Sequence, residues 1–200
     1  MAVQALRQTA GRGSRGRNWD TLDGNLALSV LIQPGGDAAR SGQWAVAGAV
    51  AFRQALASFA DGLAIKWPND VIRNGSKVAG LLINAEANGS SLLWVVLGFG
   101  ANLRTAPPGA ATLGPHDSGD VARSVLDRLS DVLRLWQAEG FAAVRELWLQ
   151  HAHPPGTPLR VRSTHHDVSG TFAGLTPDGS LLLATSEGVR AFSTGEVLLR

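Results

Sequence analysis

The 200-residue sequence contains no cysteine. Disulfides and thiol catalysis are therefore excluded, and the absence fits a reducing compartment. No apolar run approaches the length of a membrane span, and the first residues lack signal-peptide architecture. A cytoplasmic protein with no membrane partner is expected. Charge of one sign is also scarce: the formal net charge is +2, with 18 basic against 16 acidic residues. No basic stripe runs along the chain, which argues against a nucleic-acid surface. Internal repeats and heptads are missing. What is present is ordinary for a folded core, with 44% apolar and 17% charged residues. The length suits one domain, or one with a small appendage.

The first two-thirds of the chain alternates strand-like and helical patterns. Ala2 to Leu6 and Leu26 to Ile32 read as strands, the latter bounded by Asp23-Gly24 and Pro34-Gly35-Gly36. Gln43 to Phe59 reads as an alanine-rich amphipathic helix, with Trp44, Val46, Val50, Leu56 and Phe59 facing a core. A strand ends at Ile65-Lys66. Val78 to Ala85 and Leu92 to Phe99 read as a hairpin joined at Ala87-Asn88-Gly89-Ser90. Thr105 to Gly119 is a loop; Val121 to Gln137 and Phe141 to Gln150 are helices separated by Gly140. His153-Pro154-Pro155-Gly156-Thr157-Pro158 is the clearest linker. Five short strands follow it, from Leu159 to Leu199, and predict a small all-β barrel. The expected division is 1–153 and 157–200.

Two stretches carry chemistry. In Lys66-Trp67-Pro68-Asn69-Asp70, proline restricts Trp67 to extended backbone, and Asn69 and Asp70 favour a turn. A lysine held at a strand end beside a rigid turn suits a fixed charge facing an anion, or a simply solvated side chain. Gly11-Arg12-Gly13-Ser14-Arg15-Gly16-Arg17-Asn18-Trp19 alternates glycine with arginine. Its glycines allow several N–H groups to converge on one anion, and its arginines add fork geometry. A flexible surface loop or an RGG-like nucleic-acid segment would share that composition. A dinucleotide turn fits poorly, because no helix follows and the spacing is not Gly-x-Gly-x-x-Gly.

Taken together, these stretches resemble one family. The blocks are Gly11-Arg12-Gly13-x-x-Gly16-Arg17-x-Trp19, Gly24-Asn25-Leu26, Lys66 to Asp70, Lys77-Val78-Ala79-Gly80-Leu81-Leu82, and Gly98-x-Gly100-x-Asn102. In that order they resemble biotin protein ligase, from about Gln8 to the C-terminus. The resemblance implies an α+β fold: a mixed-sheet, class II synthetase-like catalytic domain followed by a small SH3-like β-barrel. It implies biotin and ATP as substrates, Mg²⁺ as cofactor, and a biotin carboxyl carrier domain of a carboxylase as partner. Biotin is adenylated, then passed to a carrier lysine. The carry-over makes Lys66 and Arg12 catalytic. Gln8, Gly11, Arg12, Gly13, Ser14 and Lys66 would contact biotin. Arg15, Arg17, Trp19, Asn69, Asp70, Asn102 and Arg200 would contact the nucleotide, with Asp70 also on Mg²⁺. The family often pairs through sheet edges, so a homodimer is among the expectations.

Three departures accompany the resemblance. The family's opening strand, Ser-Thr-Asn loop and helix have no counterpart here, which predicts an exposed sheet edge and an open pocket. Ser14 stands where the family often has arginine. Asn84 stands where many members carry glutamate. No helix-turn-helix is present, so a DNA-binding repressor role is not expected. The alternative reading is a non-catalytic relative binding a nucleotide or small acyl ligand; lipoyl or octanoyl transfer fits the Trp-Pro-Asn-Asp block less well. His151, His153, His165 and His166 lack carboxylates at ligand spacing and read as solvated. Trp136 and Trp148 read as core, and Asp117 and Asp120 as helix-capping or loop residues.

Overall fold

A computed structural model describes residues 1–19, 22–162 and 167–199, and of Arg15 the backbone alone. The chain runs β1 (Ala2–Gln4), β2 (Leu26–Ile32), α1 (Ser41–Leu56), β3 (Leu63–Lys66), β4 (Asp70–Arg73), β5 (Ser76–Asn88) and β6 (Ser91–Ala101). Then follow α2 (Ser118–Glu139), α3 (Phe141–Gln150), β7 (Pro158–Arg162), β8 (Asp167–Leu175), β9 (Leu181–Thr185), β10 (Gly188–Phe192) and β11 (Glu196–Leu199). The fold class is α+β.

Strands β1 to β6 form one sheet in the order β1-β2-β6-β5-β4-β3. A mixed sheet is the sequence expectation; among the described residues every pairing is antiparallel. The reason is local: β3-β4, β4-β5 and β5-β6 are hairpins, and a parallel neighbour would need a long crossover. β1 lies at one edge, where Val3 is 54% exposed.

Helix α1 carries the chain across one sheet face to the far edge. It is buried nearly all round from Gln43 to Phe52 rather than along a single stripe. Small residues make this possible. A Cβ on Gly48 would meet Leu81 Cδ2 at 2.6 Å, so the helix lies close on β5. Its outer side is covered by α2 and α3, with Trp44 and Trp136 centroids 4.9 Å apart. Trp44, Val46, Val50 and Leu56 are buried as expected, and Phe59 packs at the margin. Asp117 caps α2, accepting from the Gly119 and Asp120 amides at 2.9 and 3.1 Å.

The five C-terminal strands form a second antiparallel sheet, β10-β9-β8-β7-β11. A register shift between Phe172 and Gly174 bends β8. Among the described residues β10 and β11 do not pair, so the SH3-like unit is an open sheet rather than a closed ring. Arg145 of α3 holds it by donating to the Leu175 carbonyl at 2.9 and 2.6 Å. Among the described residues, no helix is long and apolar enough to cross a membrane.

Candidate active site

The sheet face away from the helices carries a trough floored by glycine. Gly80 lies opposite Gly100, and Leu82 opposite Gly98. Trp19 lies flat on Gly100, where an added Cβ would sit 2.7 Å from Trp19 Cε2. Lys77 crosses Gly80, where an added Cβ would sit 3.1 Å from its Nζ. The missing side chains are therefore the space in which the tryptophan and the lysine rest. The cavity above this floor measures about 240 Å³ and runs on past Ser29 and Leu82 to Asn84 and Val96.

Lys77 is the ammonium in this cavity, and the sequence reading did not include it among the site residues. Its Nζ lies 2.6 Å from Asp70 Oδ1 and 5.4 Å from the Trp19 ring centre. It was missed because β4 was missed. Asn74-Gly75 is the two-residue hairpin signal that folds β5 back along β4, and both residues have positive φ, 49° and 86°. Asp70 consequently belongs to a strand, opposite Gly80, rather than to a turn.

The glycine–arginine segment forms a narrow flap over the trough. Trp19 N donates to Gly11 O at 3.0 Å, Gly13 N to Arg17 O at 2.7 Å, and Arg12 bridges Asn18. The amides of Gly13, Arg17 and Trp19 are thus engaged within the flap. Gln8, Arg12, Gly13 and Ser14 line the cavity. Gly11 shapes it through its backbone contact with Trp19.

Lys66 is not among the residues lining the trough. It lines a second cavity, about 230 Å³, with Ser14 and Arg17 of the flap, Asn69, Asp70, and residues 193–197 ahead of and within β11. Lys66 is opposite Asp70 in the β3-β4 pair. The alternation that buries Ile65 puts Lys66 on the same sheet face as Asp70 and Gly80, where it lines this chamber. One carboxylate is therefore flanked by two lysines, one per cavity. The cavities share Ser14, Asn69 and Asp70. Asn69 joins the turn to the trough, donating through Nδ2 to Leu81 O and accepting from Leu81 N. Arg17 Nη1 lies 3.1 Å from Glu196 Oε1, linking the flap to β11.

Asn102 lines neither cavity. It is 2% exposed, and its Nδ2 donates to Ala111 O at 3.2 Å; Ala111 N in turn bonds Lys77 O at 2.8 Å. Its visible work is to hold that segment against β5. Asn25 plays a comparable part that the sequence reading did not assign. Its Oδ1 accepts from Leu103 N and Arg104 N at 2.9 and 3.1 Å, and its Nδ2 donates to Thr105 O at 2.9 Å. Arg200, His165, His166 and the Arg15 side chain lie outside the described residues. His151 and His153 are half-buried, not solvated as expected. Burial lowers both pKa values, helped by the charge of Arg53 for His151 and of Lys66 for His153. Among the described residues, no group of three potential metal ligands forms.

A roofed trough with one fixed ammonium, opening onto a second chamber with a lysine and an arginine, suits a ligase that activates an acid with a polyphosphate. Residues 2–102 match the biotin/lipoate A/B protein ligase family and residues 156–200 the biotin protein ligase C-terminal domain. The chain belongs to the biotin/lipoate A/B protein ligase family. It is 37% identical over 213 residues to the biotin–[acetyl-CoA-carboxylase] ligase of Paracoccus denitrificans, covering 98% of this chain and 88% of that one. The enzyme of the same name from Mycobacterium tuberculosis is 37% identical over 212 residues, covering 97% and 77%. In structure, the chain resembles biotin protein ligase from Aquifex aeolicus in complex with biotin and ATP. The TM-score is 0.82 at 28% identity, covering 100% of this chain and 88% of that one.

Proposed function

We propose that this protein is a biotin–protein ligase. A biotin carboxylate oxygen attacks the α-phosphorus of ATP; the bond to the bridging oxygen breaks and pyrophosphate leaves. A carrier-domain lysine amine then attacks the carbonyl carbon of the mixed anhydride, loses its proton, and expels AMP. The observation that carries this reading is the pair of cavities meeting at Asn69 and Asp70, with a lysine in each. Two anions approaching each other need fixed positive charge at their meeting point. Lys77 supplies it in the trough, and Lys66 with Arg17 receives the departing pyrophosphate.

Gln8, Ser29 and Asn84 provide polar partners for the biotin head group, and the Trp19 indole a stacking surface for the adenylate. Arg12 and the Gly11–Gly16 flap cover the anhydride and keep water from it. Asp70 fits the family's Mg²⁺ in a limited way. Its carboxylate borders both cavities, where it would hold the ion together with phosphate oxygens. When bound, that ion neutralises phosphate charge. Residues 1–153 form the catalytic unit and 157–200 the C-terminal unit of a cytoplasmic enzyme. Its protein partner is a biotin carboxyl carrier domain, and a second copy would pair through the β1 edge. Biotin-dependent exchange of labelled pyrophosphate into ATP, followed by biotin transfer to a carrier domain, tests the reading. Tight adenylate binding without exchange would replace it with the non-catalytic alternative.

A further inference from the structure

Trp67 sits between Lys66 and the Pro68-Asn69 turn and is among the residues lining the second cavity, yet most of its indole is buried against the C-terminal sheet. It is 4% exposed, and its Nε1–H donates to Gly179 O at 3.2 Å. Gly179 belongs to the β8–β9 turn, 112 residues away in sequence. On its other side the ring meets the start of β11: a Cβ on Gly195 would lie 3.5 Å from Trp67 Cζ3. The indole is thus clasped by two segments of the C-terminal sheet.

The β8–β9 turn is itself stiff. Thr176 N donates to Ser180 O at 2.9 Å, Ser180 N to Thr176 Oγ1 at 2.9 Å, and Ser180 Oγ to Asp178 Oδ2 at 3.0 Å. Thr176 Oγ1 also bonds Asp178, and these bonds hold the Asp178 carboxyl below its usual pKa. The turn is fixed to α1 as well, where Gln43 Nε2 donates to Pro177 O at 3.2 Å. A Cβ on Gly179 would sit 2.9 Å from Val46 Cγ2, so the contact leaves no slack.

We propose that Trp67 is a positioning residue. Through its bond to Gly179 the C-terminal sheet sets where Lys66, Asn69 and Asp70 stand in the second cavity. The role rests on the ligase reading, since that cavity is taken to receive the polyphosphate. Ser29, Asn84 and Val96, taken as the biotin end of the trough, belong to β2, β5 and β6 rather than to the 66–70 segment. Gln43 is the internal control, because it ties the same turn to α1 and has no link to Lys66.

Trp67→Phe keeps a ring and deletes the donor; Gln43→Met deletes the neighbouring bond. Exchange kinetics on the full chain should show the KM for ATP raised about tenfold in Trp67→Phe, the scale of losing one buried hydrogen bond. The KM for biotin should move less than that for ATP, and Gln43→Met should change neither. Calorimetric titration with inorganic pyrophosphate should show the same loss without catalysis. If Trp67→Phe misfolds, benzothienylalanine at position 67, which exchanges the N–H for sulfur, makes the same comparison. Equal effects from both variants, or equal shifts in both KM values, would overturn the positioning role. Wild-type protein that binds pyrophosphate without exchange would overturn the ligase reading and leave the role to the calorimetry. No pyrophosphate binding and no exchange would overturn both.

Discussion

The two cavities are built in opposite ways. The trough is made by neighbours in one antiparallel sheet, with a flap that precedes β2 directly. Its key contacts are set by register: Gly80 opposite Gly100, and Lys77 folded back to Asp70 by a two-residue turn. The second chamber is assembled from segments far apart in the chain, the flap near residue 17, the turn at 66–70 and the loop at 193–197. The first can be redesigned by changing local residues. The second depends on how one sheet docks against another.

The contrast is most open to test at the lysines. Lys77→Ala should reduce biotin-dependent exchange by roughly two to three orders of magnitude, as for loss of a preorganised charge at a transition state. Lys66→Ala should cost about tenfold, mainly in the KM for ATP, since it removes a contact to a leaving group that other groups also hold. A larger loss from Lys66→Ala would move the reacting phosphorus into the second chamber. Next in size, Gly100→Ala should lower exchange by about tenfold, because a methyl group 2.7 Å from Trp19 Cε2 must lift the indole. Gly195→Ala, in the other chamber's wall, should act on the KM for ATP instead.

Smaller effects separate support from chemistry. Asn25→Ala strands two backbone amides and should cost about 2–3 kcal/mol, measured by chemical denaturation, with both KM values nearly unchanged. The smallest effect concerns pH. His151 and His153 have pKa values lowered from 6.5, so the folded chain binds fewer protons than the unfolded chain as pH falls through that region. Acidification from pH 7.5 to 5.5 should lower the melting temperature. His153→Gln should shrink that drop, since the charge near Lys66 no longer develops. Both imidazoles are only half-buried, so a shift of a few degrees is the scale to look for.

Much of the frame is legible from local pattern. The strand at Leu26–Ile32, the helix at Phe141–Gln150 and the β5-β6 hairpin carry clear periodicity bounded by turn residues. β4 is four residues long and hides inside what looks like a turn, so Asp70 and Lys77 lost their pairing in the reading. Asn102 shares a motif with site residues, yet its side chain is bonded to a loop backbone, which no spacing could indicate.

The amino-acid pattern by itself determined the alternation of strands and helices in the first two-thirds of the chain, the strand-rich C-terminal unit and the turn that follows Lys66. These depend on periodicity and turn chemistry within a few residues. The tertiary structure alone decided which lysine faces which cavity, and that the C-terminal sheet forms a wall of the second one. Strand register and sheet docking set those distances, and both arise between residues too far apart in the chain for local preference to encode.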